Sequence, residues 1–289
     1  MRQLSFLQEK SKIEIAIERI KEFEPQEGYY LAFSGGKDSI TCYHLLKIAN
    51  VKFDSHYNVT GLDHPELIYC MKRKYPDVKF EYPRDHDGNV ITMWKLIEKK
   101  LMPPTRIVRY CCSELKERGG EGRFVVTGVR WAESSKRKNT RSAIENFHRN
   151  KKYQIHTNDN DEGRMMLESC IKKGKFILNP IIDWEDNDVW EFIKSNNFEY
   201  PNLYNNGWDR LGCIGCPLIG HPDEELNNYP KIRQAYLRAF EKMLIERKRK
   251  NKYTEWQTAE DVYNWWISNK SNKEKEYENQ ISFDQLEVF

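Results

Sequence analysis

No apolar run in this 289-residue sequence approaches the length needed to cross a bilayer. The opening Met1-Arg2-Gln3-Leu4-Ser5 lacks the apolar core and small-residue cleavage site of a secretory signal. These two absences set the expectation of a cytoplasmic protein with no membrane partner. A strong excess of one charge is missing too, because 47 basic residues against 44 acidic ones leave only +3. That balance is too small to argue for a nucleic-acid partner from composition alone. Internal repeats and low-complexity tracts are absent, and no cysteine follows Cys216. In a reducing compartment the seven cysteines are not expected to pair as structural disulfides. The remaining composition is that of a globular chain long enough to bury a substantial core.

The sequence does have a strong local signal in Ser34-Gly35-Gly36-Lys37-Asp38-Ser39. Tyr29 to Phe33 before it read as a short buried strand, and Ile40 to Ile48 after it carry apolar residues at helical spacing. A strand, a glycine turn and a helix N-terminus together make an anion site, since glycine admits close backbone approach and the helix dipole favours negative charge. Lys37 adds a point charge, and Ser34 and Ser39 add hydroxyl donors. A Walker A loop would need glycine where Leu31 stands and Ser or Thr where Asp38 stands, which disfavours β/γ-phosphate chemistry. The string instead resembles the PP-loop of the adenine-nucleotide α-hydrolase superfamily. That resemblance implies cleavage between the α- and β-phosphates of ATP, or binding of a sulfated adenine nucleotide.

The cysteines fall into two close groups, Cys111-Cys112 and Cys213-Ile214-Gly215-Cys216, with Cys42, Cys70 and Cys170 isolated and read as small buried residues. A CxxC turn presents two thiolates to one metal. An adjacent Cys-Cys pair does not easily aim both sulfurs at one tetrahedral zinc, but reaches different irons of a cluster more readily. Four thiolates suit a 4Fe–4S cluster, and structural zinc is the competing reading. The spacing resembles that of iron–sulfur adenylylsulfate reductases and of sulfur-transfer ATPases related to them.

Along the chain an amphipathic helix over 5–24 leads into the first strand. Further strands are expected over 53–59, 78–82, 124–129 and 175–181, with helices between them. Alternating strands and helices imply an α/β fold with a doubly wound, mainly parallel sheet of about five strands, whose ligands lie at the strands' carboxyl ends. Thr60-Gly61 with Pro65-Glu66, and Gly128-Val129-Arg130 with Glu133-Ser134, resemble segments of the phosphoadenylylsulfate reductase family. The resemblance covers about residues 25–220. It implies that Thr60, Gly61 and Arg130 join the PP-loop at one nucleotide site, with Arg137 as a second contact. Arginine suits that role because its planar fork binds oxyanions bidentately. The expected organisation is a nucleotide-binding domain over 1–221, a helical region over 222–269 and a flexible tail over 270–289.

The resemblance leaves three functions open. The first is an ATP pyrophosphatase that adenylates an acceptor for sulfur transfer, similar to the cluster-bearing ATPases of bacterial DNA phosphorothioation. It would use Lys37, Asp38 and Arg130, with Mg²⁺ assisted by Asp38 or Asp63, and a sulfur-donor protein as partner. The second is an adenylylsulfate or phosphoadenylylsulfate reductase using an external thiol, since the chain offers no cysteine beyond Cys216. The third is a non-catalytic nucleotide-sensing subunit. Arg130 to Lys152 holds eight basic residues against two acids, a candidate surface for a nucleic-acid acceptor. The ending Gln285-Leu286-Glu287-Val288-Phe289 resembles the peptide by which bacterial proteins dock on the replisome's sliding clamp.

Overall fold

The computed structural model describes residues 10–148, 151–154, 175–219 and 222–268. Residues 5–9 of the expected first helix, Arg149, Cys170, the expected tail and the clamp-like ending lie outside them. The described chain divides into two compact units. The first is built from residues up to Asn58, Pro65–Glu81 and Arg118–Leu211.

This first unit is α/β. Its strands are β1 (Tyr29–Ala32), β2 (Phe53–Asn58), β3 (Lys79–Glu81), β4 (Phe124–Val126), β5 (Ile144–His148), β6 (Lys151–Gln154) and β7 (Lys175–Leu178). They form one seven-stranded sheet in the order β3-β2-β1-β4-β7-β5-β6. The first five in that order are parallel and are the strands the apolar runs predict. Central β1 has Tyr29, Tyr30 and Leu31 all buried, as a strand covered on both faces requires. It pairs Tyr29 with Phe53 through Ala32 with His56 on one side, and Tyr30 with Val125 on the other.

The antiparallel pair β5–β6, joined to β7 through β5, is not anticipated by the sequence reading. Its residues are mostly polar, as an edge hairpin permits, and carry no continuous apolar signal. A buried polar network ties this addition to the parallel sheet. Asn179 Nδ2, fully buried after β7, donates to Ser142 O at 2.8 Å and to Glu145 Oε1 at 2.9 Å. Arg141 Nη1 closes on Glu145 Oε2 at 3.0 Å.

Helix α1 (Lys12–Glu22) opens with a Ser11/Glu14 capping box, satisfying N–H groups that the first turn leaves without helical partners. Helix α2 (Lys37–Ala49) is buried on most of its circumference, and α1 and the helix Asp186–Ser195 both pack on it. Burial of Ile40, Leu45 and Leu46, each at 0% exposure, contributes about 1.5–3 kcal/mol per side chain. Helix α3 (Pro65–Lys74) connects to β3.

The second unit gathers Val59–His64, Tyr82–Glu117 and the chain from Gly212 onward. The C-terminal helices Pro222–Asn228, Pro230–Arg249 and Ala259–Ile267 therefore share a unit with α4 (Met93–Lys100) and α5 (Tyr110–Leu115). Leu62, Ile97, Ile214, Phe240 and Trp266 meet in its core, against which Trp256 and Trp265 pack. Trp266 Nε1 donates to Pro104 O at 2.7 Å, satisfying the one polar atom of a buried indole. No described helix is long and apolar enough to cross a membrane.

Candidate nucleotide site and cysteine cluster

In the first unit the connections from β1 lead by way of α2 to β2 on one side, while β4 lies on the other. The strand order therefore reverses at β1, and the crevice beyond the carboxyl ends of β1 and β4 is where an open sheet of this kind places a ligand. Ser34-Gly35-Gly36 leaves β1 there, and Gly128-Val129-Arg130 leaves β4. Gly35 has φ +74°, and a Cβ on it would lie 2.6 Å from Met71 Sδ, so the turn needs glycine for both conformation and space. Gly128 comes so close to the start of α2 that a Cβ would stand 2.8 Å from the Asp38 carbonyl carbon.

The loop is internally braced. Ser34 N–H donates to Ser39 Oγ at 3.2 Å, and Ser39 Oγ donates to Gly36 O at 2.9 Å. Gly36 caps α2 without a side chain, and the Lys37 N–H donates to the Tyr204 hydroxyl at 2.9 Å. Lys37 Nζ lies 3.9 Å from Asp38 Oδ2, 3.5 Å from Asp186 Oδ1 and 3.4 Å from Asp209 O. Arg130, 2% exposed, donates from Nε to Asp38 Oδ1 at 2.7 Å and from Nη2 to Asp186 Oδ1 at 2.6 Å. Its Nη1 donates to Trp184 O at 3.2 Å. Partial burial pushes the Asp186 carboxyl up, but the Arg130 hydrogen bond and Lys37 outweigh it and hold the group below the usual carboxylate range. An ammonium, a guanidinium and two carboxylates thus converge on one helix N-terminus.

The structure brings Ser34, Gly35, Gly36, Lys37, Asp38, Ser39 and Arg130 together, with Arg130 spanning two carboxylates. Arg137 is half-exposed and pairs with Glu133 on its own short segment. Together with Arg141 on Glu145, three basic residues of the 130–152 stretch are committed to carboxylates among those the structure describes. Asp186, Tyr204 and Asp209 escaped the sequence reading. Asp186 was the most accessible of them, as an acid in the first turn of a helix following a strand. With Trp190, Tyr200 and Trp208 these residues surround a cavity of about 450 Å³ beside Lys37.

Thr60 and Gly61 belong to the second unit. There Thr60 Oγ1 donates to Asp63 Oδ2 at 2.7 Å, and Cys213 Sγ reaches it at 3.9 Å. Asp63 also bridges Cys213 through its backbone, and Ile214 N–H donates to Leu62 O at 2.8 Å. The Thr60–Asp63 segment is therefore the backing of the CxxC turn. On the turn's far side Gly215 N–H donates to Glu225 Oε2 at 2.6 Å, and buried His64 approaches Glu225 Oε1 at 3.3 Å and Tyr229 Oη at 2.9 Å.

Cys111 and Cys112 open α5. A hydrogen bond from Cys111, reinforced by Arg109 Nη2 at 3.3 Å, holds the Cys112 thiol below the usual thiol range. The same Cys112 hydrogen bond raises Cys111, with burial and the charges of Cys112, Cys213 and Cys216 adding to it. Burial pushes Cys213 up to about 12 while the Lys116 ammonium pulls the other way. All four thiols lie in one unit, and Cys111 feels the charges of the other three, with Arg109 and Lys116 as nearby cations. In number and chemistry they fit a four-thiolate group. Among the described residues no three His, Cys, Asp or Glu side chains stand at the spacing of a single metal ion.

The family model described as the phosphoadenosine phosphosulfate reductase domain matches residues 28–219. An uncharacterized protein of Methanocaldococcus jannaschii is 27% identical over 228 residues, covering 75% of this chain and 47% of that protein. The chain thus spans less than half the length of that relative. The adenosine 5′-phosphosulfate reductase of Oceanobacillus iheyensis is 51% identical over 37 residues, 13% of this chain and 15% of that one. Among solved structures, the phosphoadenylyl-sulfate reductase of Candida auris aligns with a TM-score of 0.46 at 15% identity. That alignment covers 72% of this chain and 90% of the other.

Proposed function

The chain belongs to the phosphoadenosine phosphosulfate reductase domain family, and from that premise we propose that it is an ATP pyrophosphatase that adenylates an acceptor for sulfur transfer. The observation that carries this reading is the convergence of Lys37, Asp38, Asp186 and the α2 N-terminus at the strand-order reversal. An acceptor hydroxyl oxygen attacks the α-phosphorus, and the bond to the bridging oxygen of the β-phosphate breaks. Pyrophosphate leaves, the acceptor carries AMP, and the hydroxyl proton passes to solvent. Lys37, the α2 N–H groups and the Ser34 and Ser39 hydroxyls bind the pyrophosphoryl part, where negative charge grows as the bond breaks. Asp38 and Asp186 would hold Mg²⁺, which is bound through one or two carboxylates together with substrate phosphates. Arg130 acts through them as a positioning residue.

Cys111, Cys112, Cys213 and Cys216 would hold a 4Fe–4S cluster in the second unit. Bound there, such a cluster would brace the two cysteine segments against each other within the second unit. The adjacent Cys111-Cys112 pair favours a multi-iron group over zinc, because two neighbouring thiolates reach different irons of a cluster more readily than one tetrahedral ion. Anaerobically prepared protein is expected to contain iron and labile sulfide, and Cys213→Ser and Cys216→Ser each to lose both. Stoichiometric zinc in iron-replete protein would overturn this assignment.

The activity is tested with ATP labelled in the α-phosphate, Mg²⁺ and oxygen-free protein, with and without added DNA or RNA. Formation of labelled AMP or AMP-acceptor with equimolar pyrophosphate is the expected result. Release of ADP and phosphate would sink the reading. The local likeness to an adenosine 5′-phosphosulfate reductase favours one other reading, thiol-dependent reduction of a sulfated nucleotide. Sulfite released from adenylylsulfate in the presence of a thiol, with ATP left intact, would decide for it.

A further inference from the structure

The cavity beside Lys37 does not end at the phosphate site. It shares Tyr200 and Asn205 with a second cavity of about 930 Å³, walled by α3 on one side and by the stretch from Phe198 to Asn205 on the other. Both lie wholly in the first unit. A pocket for one small ligand occupies roughly 300–1,000 Å³, so the two together exceed what a single nucleotide needs.

The lining alternates flat rings with cations. Trp190 stands edge-to-face with Tyr200 at 5.3 Å and with Tyr204 at 5.0 Å, and all three rings line the first cavity. Lys194 Nζ is 5.5 Å from the Trp190 ring. Tyr69, 73% exposed, stands at the second cavity with exposed Lys72 and Arg73 following it on α3. Acids are present as well, and apart from the exposed Asp209 they are engaged. Glu199 pairs with Lys74, Asp186 with Arg130 and Lys37, and Glu66 has a partner of its own. Lysines in the last turn of a helix are favoured by its dipole in any case, so the cations alone would say little. Their interleaving with aromatic faces, along a track that starts at the phosphate-binding lysine, says more.

Building on the adenylation reading above, we propose that this double cavity is the acceptor track and that its ligand is a single-stranded nucleic acid. Unpaired bases stack on Trp190, Tyr200 and Tyr69, and the sugar-phosphate backbone follows Lys194, Lys72 and Arg73. Such stacking is tolerant of sequence because every base has a π-face, and it requires bases that are not already stacked in a duplex. The end of the track at Lys37 delivers a hydroxyl oxygen of the strand to the α-phosphorus of ATP.

The test uses the full chain and a fluorescein-labelled oligothymidylate or oligouridylate of about 12 nucleotides, read by anisotropy at several salt concentrations. Tyr69→Ala and Trp190→Ala are each expected to weaken binding by about tenfold or more. Lys72→Gln combined with Arg73→Gln is expected to reduce the slope of log K against log salt by about 1.4, the value for two lost single-strand phosphate contacts. Because Tyr69, Lys72 and Arg73 lie away from Lys37 in the lining, their variants are expected to bind ATP as the parent does. Wild-type affinity and salt slope in these variants would overturn the track, as would equal binding of a blunt duplex of the same length. Parent protein that converts ATP to AMP yet binds no single strand would also overturn it while leaving the ATP chemistry intact. Parent protein that binds the strand through Tyr69 and Lys72 but leaves ATP whole would overturn the adenylation reading instead.

Discussion

Lys37→Ala is expected to lower the rate of AMP and pyrophosphate formation by about 10²–10³-fold, the loss seen when one preorganised charge-stabilising donor is removed. Lys37 is 7% exposed and lies within 4 Å of Asp38 and Asp186, so its charge acts in a partly desolvated setting where it is worth more than in water. Removing it leaves the two carboxylates facing the incoming phosphates with only Arg130 to offset them. Both ATP affinity and turnover therefore fall. The measurement is single-turnover cleavage of α-labelled ATP, with circular dichroism to show that α2 remains folded. Cleavage within a few-fold of wild type would remove Lys37 from the chemistry and with it the proposed orientation of the pyrophosphate.

Arg130→Ala is expected to destabilise the first unit by about 3 kcal/mol, at the low end for breaking a buried ion pair. Asp38 is partly buried and loses its 2.7 Å partner, and a large fully buried side chain is deleted. Asp186 is 67% exposed, so water screens its share and it adds little to the loss. In a unit of this size that corresponds to a fall in melting temperature of about 6–12 °C. Arg137→Ala breaks only the half-exposed pair with Glu133 and is expected to cost about 0.5 kcal/mol or less. Calorimetry of the two variants side by side separates the roles. Equal, small shifts would show that Arg130 is not the keystone of the carboxylate pair and would return it to the position of a simple phosphate contact.

The legible parts of this protein were those encoded in short, contiguous stretches. Tyr29-Tyr30-Leu31-Ala32 and Phe124-Val125-Val126 announce buried parallel strands because no polar residue interrupts them. Ser34 to Ser39 announces a turn into a helix N-terminus because Gly35 and Gly36 separate an apolar strand from a helical pattern. The β5–β6 hairpin was hidden because its basic residues read as a surface for a partner. Its attachment depends on Asn179, which meets Ser142 and Glu145 only after folding. Thr60-Gly61 resembles a nucleotide-contacting segment of the family, and the contacts of its hydroxyl with Asp63 and Cys213 were not visible in the sequence.

By itself the sequence determined the α/β class, the glycine turn between the first strand and its helix and the two pairs of neighbouring cysteines, because each rests on residues close together along the chain. Only the tertiary structure decided that Arg130 is buried between Asp38 and Asp186, that Tyr204 meets the Lys37 N–H, and that Thr60 backs the CxxC turn. Only folding brought Trp190, Tyr200 and Tyr204 to the cavity beside Lys37. These pairings join residues 56 to 167 positions apart, and hydrogen-bonding groups at such separations acquire partners only when the sheet and helices bring them within about 3 Å.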